Sequence, residues 1–446
     1  MSLTARLVWL EGASTLGVLS LVLALTGPPS AEPWWAHLAR AAPATLVCLA
    51  SFYFHDLYAP DGPPPWPGVA RHLCRALGWS AVALAVGAVA APGALDAGPH
   101  ASRGLLATLG VLLLIRASAH HLARREPLCE RVLLLGGGPL AAALVDEIRR
   151  RPDLAVRLLG VVAEPDALAG VPRLGGYETL ADVVARHRPD RIVVAMAERR
   201  GRLPVDALVA CRAAGVRVED AATAFERLTG RLVIEALTPS ALAFGDGFRV
   251  TRARDLASRA LSVVVAAAAL VLVAPLMALA ALAIRLESPG PVLFVQERVG
   301  LRGRVFRLIK FRTMRPAAAP PADTVLRDNR SRVTRVGAFL RRYRLDELPQ
   351  FFNILRGDMN LVGPRPEMAE NVATFAACIP YYHLRHAVRP GLTGWAQVRC
   401  GYSMSLEEVT RKLCYDLYYV KHMSLLFDLR ILLDTVKVVL RGTRPG

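Results

Sequence analysis

A run of 25 residues without a charge, Ala260 to Ile284, stands between Arg259 and Arg285. As a helix it is long enough to cross the hydrocarbon core of a bilayer, and Pro275 lies past its middle. A proline there removes an N–H and crowds the carbonyl four residues back. The run therefore reads either as one crossing or as a helix–break–helix that dips in and returns. Four other apolar segments precede it, at about 7 to 27, 34 to 54, 72 to 92 and 101 to 119. Glu11 interrupts the first, and no small-residue cleavage site follows, which argues against a cleaved signal peptide. Arg6, Arg71, Arg75, Arg116, Arg124 and Arg125 fall on one side of these segments; Glu32, Asp96 and Arg103 fall on the other. The excess of positive charge predicts a cytoplasmic N-terminus and a return to the cytoplasm near residue 120.

Composition supports a membrane protein. Of 446 residues 53% are hydrophobic, and 55 Lys and Arg stand against 37 Asp and Glu, a net charge of +18. That balance suits an anionic membrane surface or phosphorylated substrates. Nucleic acid is set aside: there is no zinc-finger spacing, no aromatic RNA-binding motif and no basic-region zipper. The seven cysteines are scattered without a C-x-x-C pair, and read as small buried hydrophobes in a reducing compartment.

From about 129 the pattern changes to strand, helix, strand: RVLLLGGGPLAAALVDEIRR, VRLLGVVAE, DRIVVAM and GVRVED. Such alternation predicts a parallel sheet covered by helices. Gly136, Gly138 and Ala141 form a G-x-G-x-x-A turn after a strand, the context of a dinucleotide fingerprint. Glu164 follows the second strand where a ribose-binding acid could sit. No S/Y-x-x-x-K catalytic pair follows, so the domain is either a nucleotide site or a scaffold that packs, regulates or supports a homodimer.

Further on, Asp346 and Glu347 stand side by side in RLDELPQFFNILRGDMNLVGPRPE, behind Arg341, Arg342 and Arg344. A salt-bridged helix face is the plain reading of such a cluster. Against it, Leu345, Leu348, Phe352 and Leu355 repeat at helical spacing and predict an inward face, with Asp346, Gln350 and Asn353 on another. Pro349 predicts that a helix breaks or begins beside the acids. Arg365 stands between two prolines that fix its backbone and so aim one guanidinium, and Lys310 and Arg312 in KFRTM are either candidate phosphate contacts or a basic strand edge facing lipid headgroups.

The motifs ESPGPVLFVQERVG, FRLIKFRTM, the Asp-Glu stretch ending in GPRPE, PGLTGWAQV and YDLYYVKHMSLLFDL occur in that order. Together they resemble the bacterial sugar transferases, the large monotopic polyprenyl-phosphate sugar-1-phosphate transferases. FERLTGRLVIEALTPSALAFGDGF is similar to the exopolysaccharide branch of that family. The resemblance implies that Asp346 is a nucleophile on the β-phosphate of a UDP-sugar and that UMP leaves. It implies a sugar phosphate held covalently until undecaprenyl phosphate accepts it. It further implies Mg²⁺ at Asp346 and Glu347, a diphosphate contact from Arg365, and a weaker site role for Asp416. A cytoplasmic UDP-sugar would make the run at 260 to 284 re-entrant, broken at Pro275, although Ala274 stands where the family has a serine.

The expected architecture is thus a membrane α-helical region of four helices (1–124), an α/β Rossmann-like domain (125–250) and an α+β monotopic catalytic domain (251–446). The last would hold a re-entrant helix at about 256–286. The expected partners are UDP-sugar, undecaprenyl phosphate and membrane lipids; later glycosyltransferases are not named by the sequence. Two rivals stand beside this reading. One is a membrane-anchored nucleotide-sugar dehydratase or dehydrogenase using the glycine turn; the other is a non-enzymatic scaffold.

Overall fold

The computed structural model describes residues 3–26, 33–58, 66–90, 101–123, 129–151, 156–165, 168–196, 198, 201–237, 242, 247–248, 251–315, 332–400 and 405–441. The chain forms two compact units, Met1–Ala224 and Phe225–Gly446. Residues 59–65 and 316–331, and Arg124 and Arg125, lie outside the described residues.

The first unit opens with four helices, α1 (Leu3–Thr26), α2 (Trp34–Phe54), α3 (Trp66–Ala90) and α4 (Ala101–Ala123). Each packs on the next, and α1 packs on α4. Cys48, Phe52, Leu57, Leu73, Ala76 and Leu112 are buried among them. Arg116 on α4 pairs with Glu11 on α1, both buried, and Tyr58 donates to Glu11 over 2.6 Å. By length and apolar character one described helix suffices to cross a membrane, and it is not among these four. The expectation of four spanning helices therefore finds no support on that measure; buried polar groups such as Glu11, Thr15 and Arg116 dilute their apolar character.

After these helices come β1 (Glu130–Leu135), α5 (Pro139–Arg150), β2 (Val156–Val162), β3 (Arg173–Gly175), α6 (Leu180–His187), β4 (Arg191–Val194), α7 (Val205–Ala213) and β5 (Arg217–Asp220). The sheet order is β3-β2-β1-β4-β5, and every pairing is parallel. This is the Rossmann-like arrangement expected from alternating strands and helices. The sheet's centre is buried on both faces, as the apolar Val132–Leu135 and Ile192–Val194 stretches require. Gly136, at φ +93°, turns the chain out of β1, and a Cβ there would overlap Met196. Gly138 has room for a side chain and precedes α5 as its N-cap.

The division between units falls inside α8 (Ala221–Thr229) rather than at 250. Leu232 and Ile234 pack with Ile379, Tyr382, Leu413 and Leu417, so the segment after Phe225 is part of the second unit's core.

The second unit is built on α9 (Arg252–Glu287), the helix long and apolar enough for a membrane. Thr251 caps its start by accepting from the Arg254 N–H. Its two ends pack on the same unit. In the first half, Arg259 donates to the Met359 and Leu355 carbonyls, and Ser262 accepts from the Leu361 N–H. In the second, Ala280 and Ile284 pack with Phe311 and Leu340. Between them Val271 and Leu272 are about 80% exposed. Pro275 lies inside one continuous helix, which corrects the expected break between two helices. Its missing N–H instead removes the bond that the Val271 carbonyl would accept in a regular helix.

Candidate functional site

The hairpin β6 (Leu293–Val299) and β7 (Val305–Phe311) follows α9, with Phe294 opposite Lys310. Cross-strand partners share a face, and the Lys310 ammonium sits 5.1 Å from the centre of the Phe294 ring. Next comes α10 (Arg335–Arg342). Glu287, the last residue of α9, accepts from the Arg335 and Val336 N–H groups at 2.7 and 3.0 Å, so it caps α10 and fixes it to the membrane helix. Gly337 is needed because a Cβ would overlap the Thr313 carbonyl.

Arg344, in the left-handed region at φ 55°, ends this helical run and turns the chain into a short 3₁₀ turn, Leu345–Glu347. Pro349 then precedes α11 (Gln350–Arg356). Asp346 and Glu347 therefore stand at a junction between two helices, where the proline predicts one.

The face that α11 buries is not the expected one. Phe352 is 48% exposed, and Leu355 is also exposed; Gln350, Phe351, Asn353 and Ile354 are buried. The reason lies in Asn353, which is wholly buried. It accepts from the Ile309 N–H and donates to the Arg307 carbonyl and to Asp358, so it continues the hydrogen bonding of β7. Asn353 is a structural group that sets α11 against the strand bearing Lys310. Phe351 and Ile354 pack inward beside Asn353, while Phe352 and Leu355 face outward.

Around the two acids the charges divide. Arg365 donates to Glu347 at 2.8 Å, and Arg344 stands 3.8 Å from its other oxygen. Burial opposes ionisation of Glu347, but Arg365, Arg344 and Lys310 outweigh it and hold the carboxyl below its ordinary range. Asp346 has no hydrogen-bond or ion-pair partner among the described residues. Burial and the neighbouring Glu347 push it up to about 6, against the pull of Lys310, Arg341 and Arg365. Lys310 is itself lowered, by burial first and then by Arg298 and Arg365, while both acids oppose that shift. The arrangement yields one acid whose ionised form an arginine favours, and one unpaired acid raised toward neutral pH.

Arg365 is aimed from behind. The Pro364 carbonyl accepts from Gly391 N–H at 3.0 Å, the Arg365 carbonyl from Arg385 at 2.9 Å and the Pro366 carbonyl from Arg298 at 3.3 Å. The strands β8 (Asn360–Val362) and β9 (Gly391–Thr393) pair in parallel beneath this loop. Gly363, Gly391 and Gly394 bring the two loop backbones into direct contact, since a Cβ on any of them would overlap the opposite main chain. That close approach, rather than a special turn, explains the glycines of PGLTGW.

Two expected site residues lie elsewhere. Arg312 is buried and donates to the Pro289 carbonyl and to the Ser288 carbonyl and hydroxyl, all at 2.8 to 3.0 Å. It secures the end of α9 and is not a phosphate contact in this arrangement; β7 ends at Phe311, so Arg312 no longer shares the orientation of Lys310. Asp416, on α12 (Leu406–His422), is buried against Arg385 at 2.7 Å. Trp395 is core: its indole N–H donates to the Gly230 carbonyl, and Phe427 and Tyr418 pack on it. Arg298 and Arg385 were not singled out by the sequence. Arg298 does lie in the VQERVG motif, but no local pattern marks Arg385.

Among the described residues no group of three or more His, Cys, Asp or Glu could hold a metal ion. A hard cation such as Mg²⁺ binds through one or two carboxylates and takes its other ligands from water and substrate phosphates. The unpaired Asp346 fits that mode. Glu347 would have to give up part of its contact with Arg365 to join it. In the first unit, Glu164 pairs with Arg202 at 3.1 Å, both well exposed.

Comparison with known proteins agrees with this architecture. Residues 253–442 match the family of bacterial sugar transferases, and residues 68–219 match the CoA-binding domain family. A UDP-glucose:undecaprenyl-phosphate glucose-1-phosphate transferase of Xanthomonas campestris is 31% identical over 359 residues, covering 76% of this chain and 72% of that protein. The Caulobacter vibrioides enzyme of the same name is 48% identical over 188 residues, 42% of this chain and 70% of that one. An Aeromonas hydrophila UDP-N-acetylgalactosamine-undecaprenyl-phosphate N-acetylgalactosaminephosphotransferase is 41% identical over 235 residues. That match takes in 53% of this chain and 55% of the Aeromonas protein. With its motifs, its fold and a relative matched over most of both lengths, the chain belongs to the bacterial sugar transferase family.

Proposed function

We propose that this protein transfers a hexose-1-phosphate from a UDP-sugar to undecaprenyl phosphate at the cytoplasmic face of a membrane, releasing UMP. The observation that carries the reading is the division of charge at the acid pair. Asp346 is an unpaired carboxylate beside Lys310, while Glu347 is ionised and bound to Arg365.

In the first step an Asp346 oxygen attacks the β-phosphorus, and the bond from that phosphorus to the bridging oxygen breaks. The electron pair leaves with UMP, and an acyl phosphate bearing the sugar remains on Asp346. In the second step a phosphate oxygen of undecaprenyl phosphate attacks the same phosphorus and returns Asp346 as a carboxylate. The bond between phosphate oxygen and sugar C1 is never broken, so the anomeric configuration carries through. Positioning and charge neutralisation are the main demands of such chemistry. Lys310 supplies positive charge where the diphosphate must lie, and Arg365 can exchange part of its contact with Glu347 for a phosphate oxygen. A bound Mg²⁺, held by Asp346 with Glu347, would screen the diphosphate's negative charge.

The membrane seat follows from α9. A helix whose two ends pack on one unit, with its middle exposed, holds that unit against the bilayer instead of passing through it. The exposed apolar residues of α11, Phe352 and Leu355, suit the same surface.

The test is the nucleotide released when purified protein in nanodiscs meets undecaprenyl phosphate, Mg²⁺ and UDP-glucose or UDP-N-acetylgalactosamine, the donors in the relatives' names. UMP is expected, and Asp346→Asn should retain less than a few per cent of the rate. Release of UDP would mean that the sugar moved without its phosphate, and the proposal would fall. A nucleotide-sugar dehydratase or dehydrogenase would instead show stoichiometric bound NAD in the protein's spectrum.

A further inference from the structure

Asp416 lies on α12 and Arg385 on the 3₁₀ turn Tyr382–Ala387. Both are buried, at 2% and 7% exposure. One guanidinium nitrogen of Arg385 donates to two acceptors, the Asp416 carboxylate at 2.7 Å and the Arg365 carbonyl at 2.9 Å. The other terminal nitrogen donates to the Tyr382 hydroxyl at 2.8 Å. Asp416 thus reaches the loop of Arg365 through Arg385, and Arg385 reaches it through the main chain of Arg365.

We propose that Arg385, oriented by Asp416 and Tyr382, is a positioning residue that fixes the backbone of Arg365 so that its guanidinium meets the sugar-nucleotide diphosphate. The inference rests on Arg365 as the diphosphate contact proposed above. Pro364 and Pro366 leave the tripeptide with one N–H donor, so its position is set through its carbonyls. Two of the three are held by guanidiniums, Arg385 and Arg298. A carboxylate that only filled the core would not need a partner whose second bond reaches this loop. Burying two charges is costly, and hydrophobic residues of similar volume would often serve stability as well. The pair's geometry toward the carbonyl is what such a replacement could not supply.

The experiment is a set of double-mutant cycles read as kcat/KM for the UDP-sugar, with thermal unfolding in parallel. Asp416→Asn and Arg385→Lys are each made in the wild-type protein and in Arg365→Ala. In the wild-type background each should lower kcat/KM about tenfold or more, the size of one hydrogen bond to a charged group. In the Arg365→Ala background the same changes should cost less than about twofold, because the side chain they position is gone. Equal losses in both backgrounds would overturn the inference and leave the pair a purely structural one.

Arg385→Lys keeps the charge opposite Asp416 and Tyr382→Phe removes a single hydroxyl, so these carry the same cycles if Asp416→Asn fails to fold. Should Arg365→Ala itself transfer at the wild-type rate, the diphosphate reading of Arg365 fails, a result distinct from additivity in the cycles.

Discussion

If Asp346 is the nucleophile proposed above it must be ionised to attack phosphorus, and burial beside Glu347 raises its pKa to about 6. Single-turnover release of UMP, measured without acceptor so that the lipid phosphate's own titration does not enter, should then fall on an acid limb centred near pH 6. An acid of that pKa is about 97% ionised at pH 7.5 and about 9% at pH 5, so the rate should drop roughly tenfold between them. Arg341 is among the groups that lower this pKa. Removing its charge with Arg341→Gln must raise the pKa, and the limb should move to higher pH. Added divalent cation acts in the opposite direction, so the two proteins are compared at one Mg²⁺ concentration. A rate that stays flat down to pH 4.5, or a limb that sits at the same pH in both proteins, would refute the assignment of the titrating group to Asp346.

Three further outcomes follow from the packing. Arg312→Met should cost about 3 kcal/mol or more of stability, because charge-assisted bonds to buried carbonyls are lost; it should show as a lower thermal midpoint with KM for the UDP-sugar unchanged. Asn353→Leu should cost about 2–4 kcal/mol by orphaning the Ile309 N–H and the Arg307 carbonyl; unfolding in detergent checks it, and a neutral effect would return Asn353 to the list of site residues. Gly391→Ala places a Cβ 2.1 Å from the Gly363 nitrogen. It should therefore abolish transfer by displacing the Arg365 loop, and normal activity in that variant would show that the two backbones do not touch.

Much of the fold was legible because its signals are local. The long uncharged run reads as a helix for lipid by its length alone, and the alternation of short apolar strands with helical stretches predicts the parallel sheet. Gly136 is readable for a related reason, since a strand that ends against a helix start needs a backbone few residues can adopt. The unpaired acid and its neighbour were marked by adjacency and by Pro349, which must interrupt a helix wherever it stands.

Other features depended on partners far away in the chain. Periodicity showed two faces on the helix after Pro349, but the buried one carries Gln350 and Asn353 with Phe351 and Ile354, because Asn353 meets a strand 44 residues earlier, at Ile309. Lys310 and Arg312 look alike in sequence; the strand ends between them, so one faces the acids and the other holds the end of α9. The ion pair that joins Asp416 to Arg385 spans 31 residues, with no spacing rule to announce it. By itself the sequence determined which segments become helix or strand, which long run is apolar enough for lipid and which acids stand together, because covalent spacing and the demand to bury apolar surface settle those locally. Only the tertiary structure decided which charges are spent on the fold and which remain for substrate. A guanidinium or a carboxylate is chemically the same in either role until a partner comes within hydrogen-bond reach.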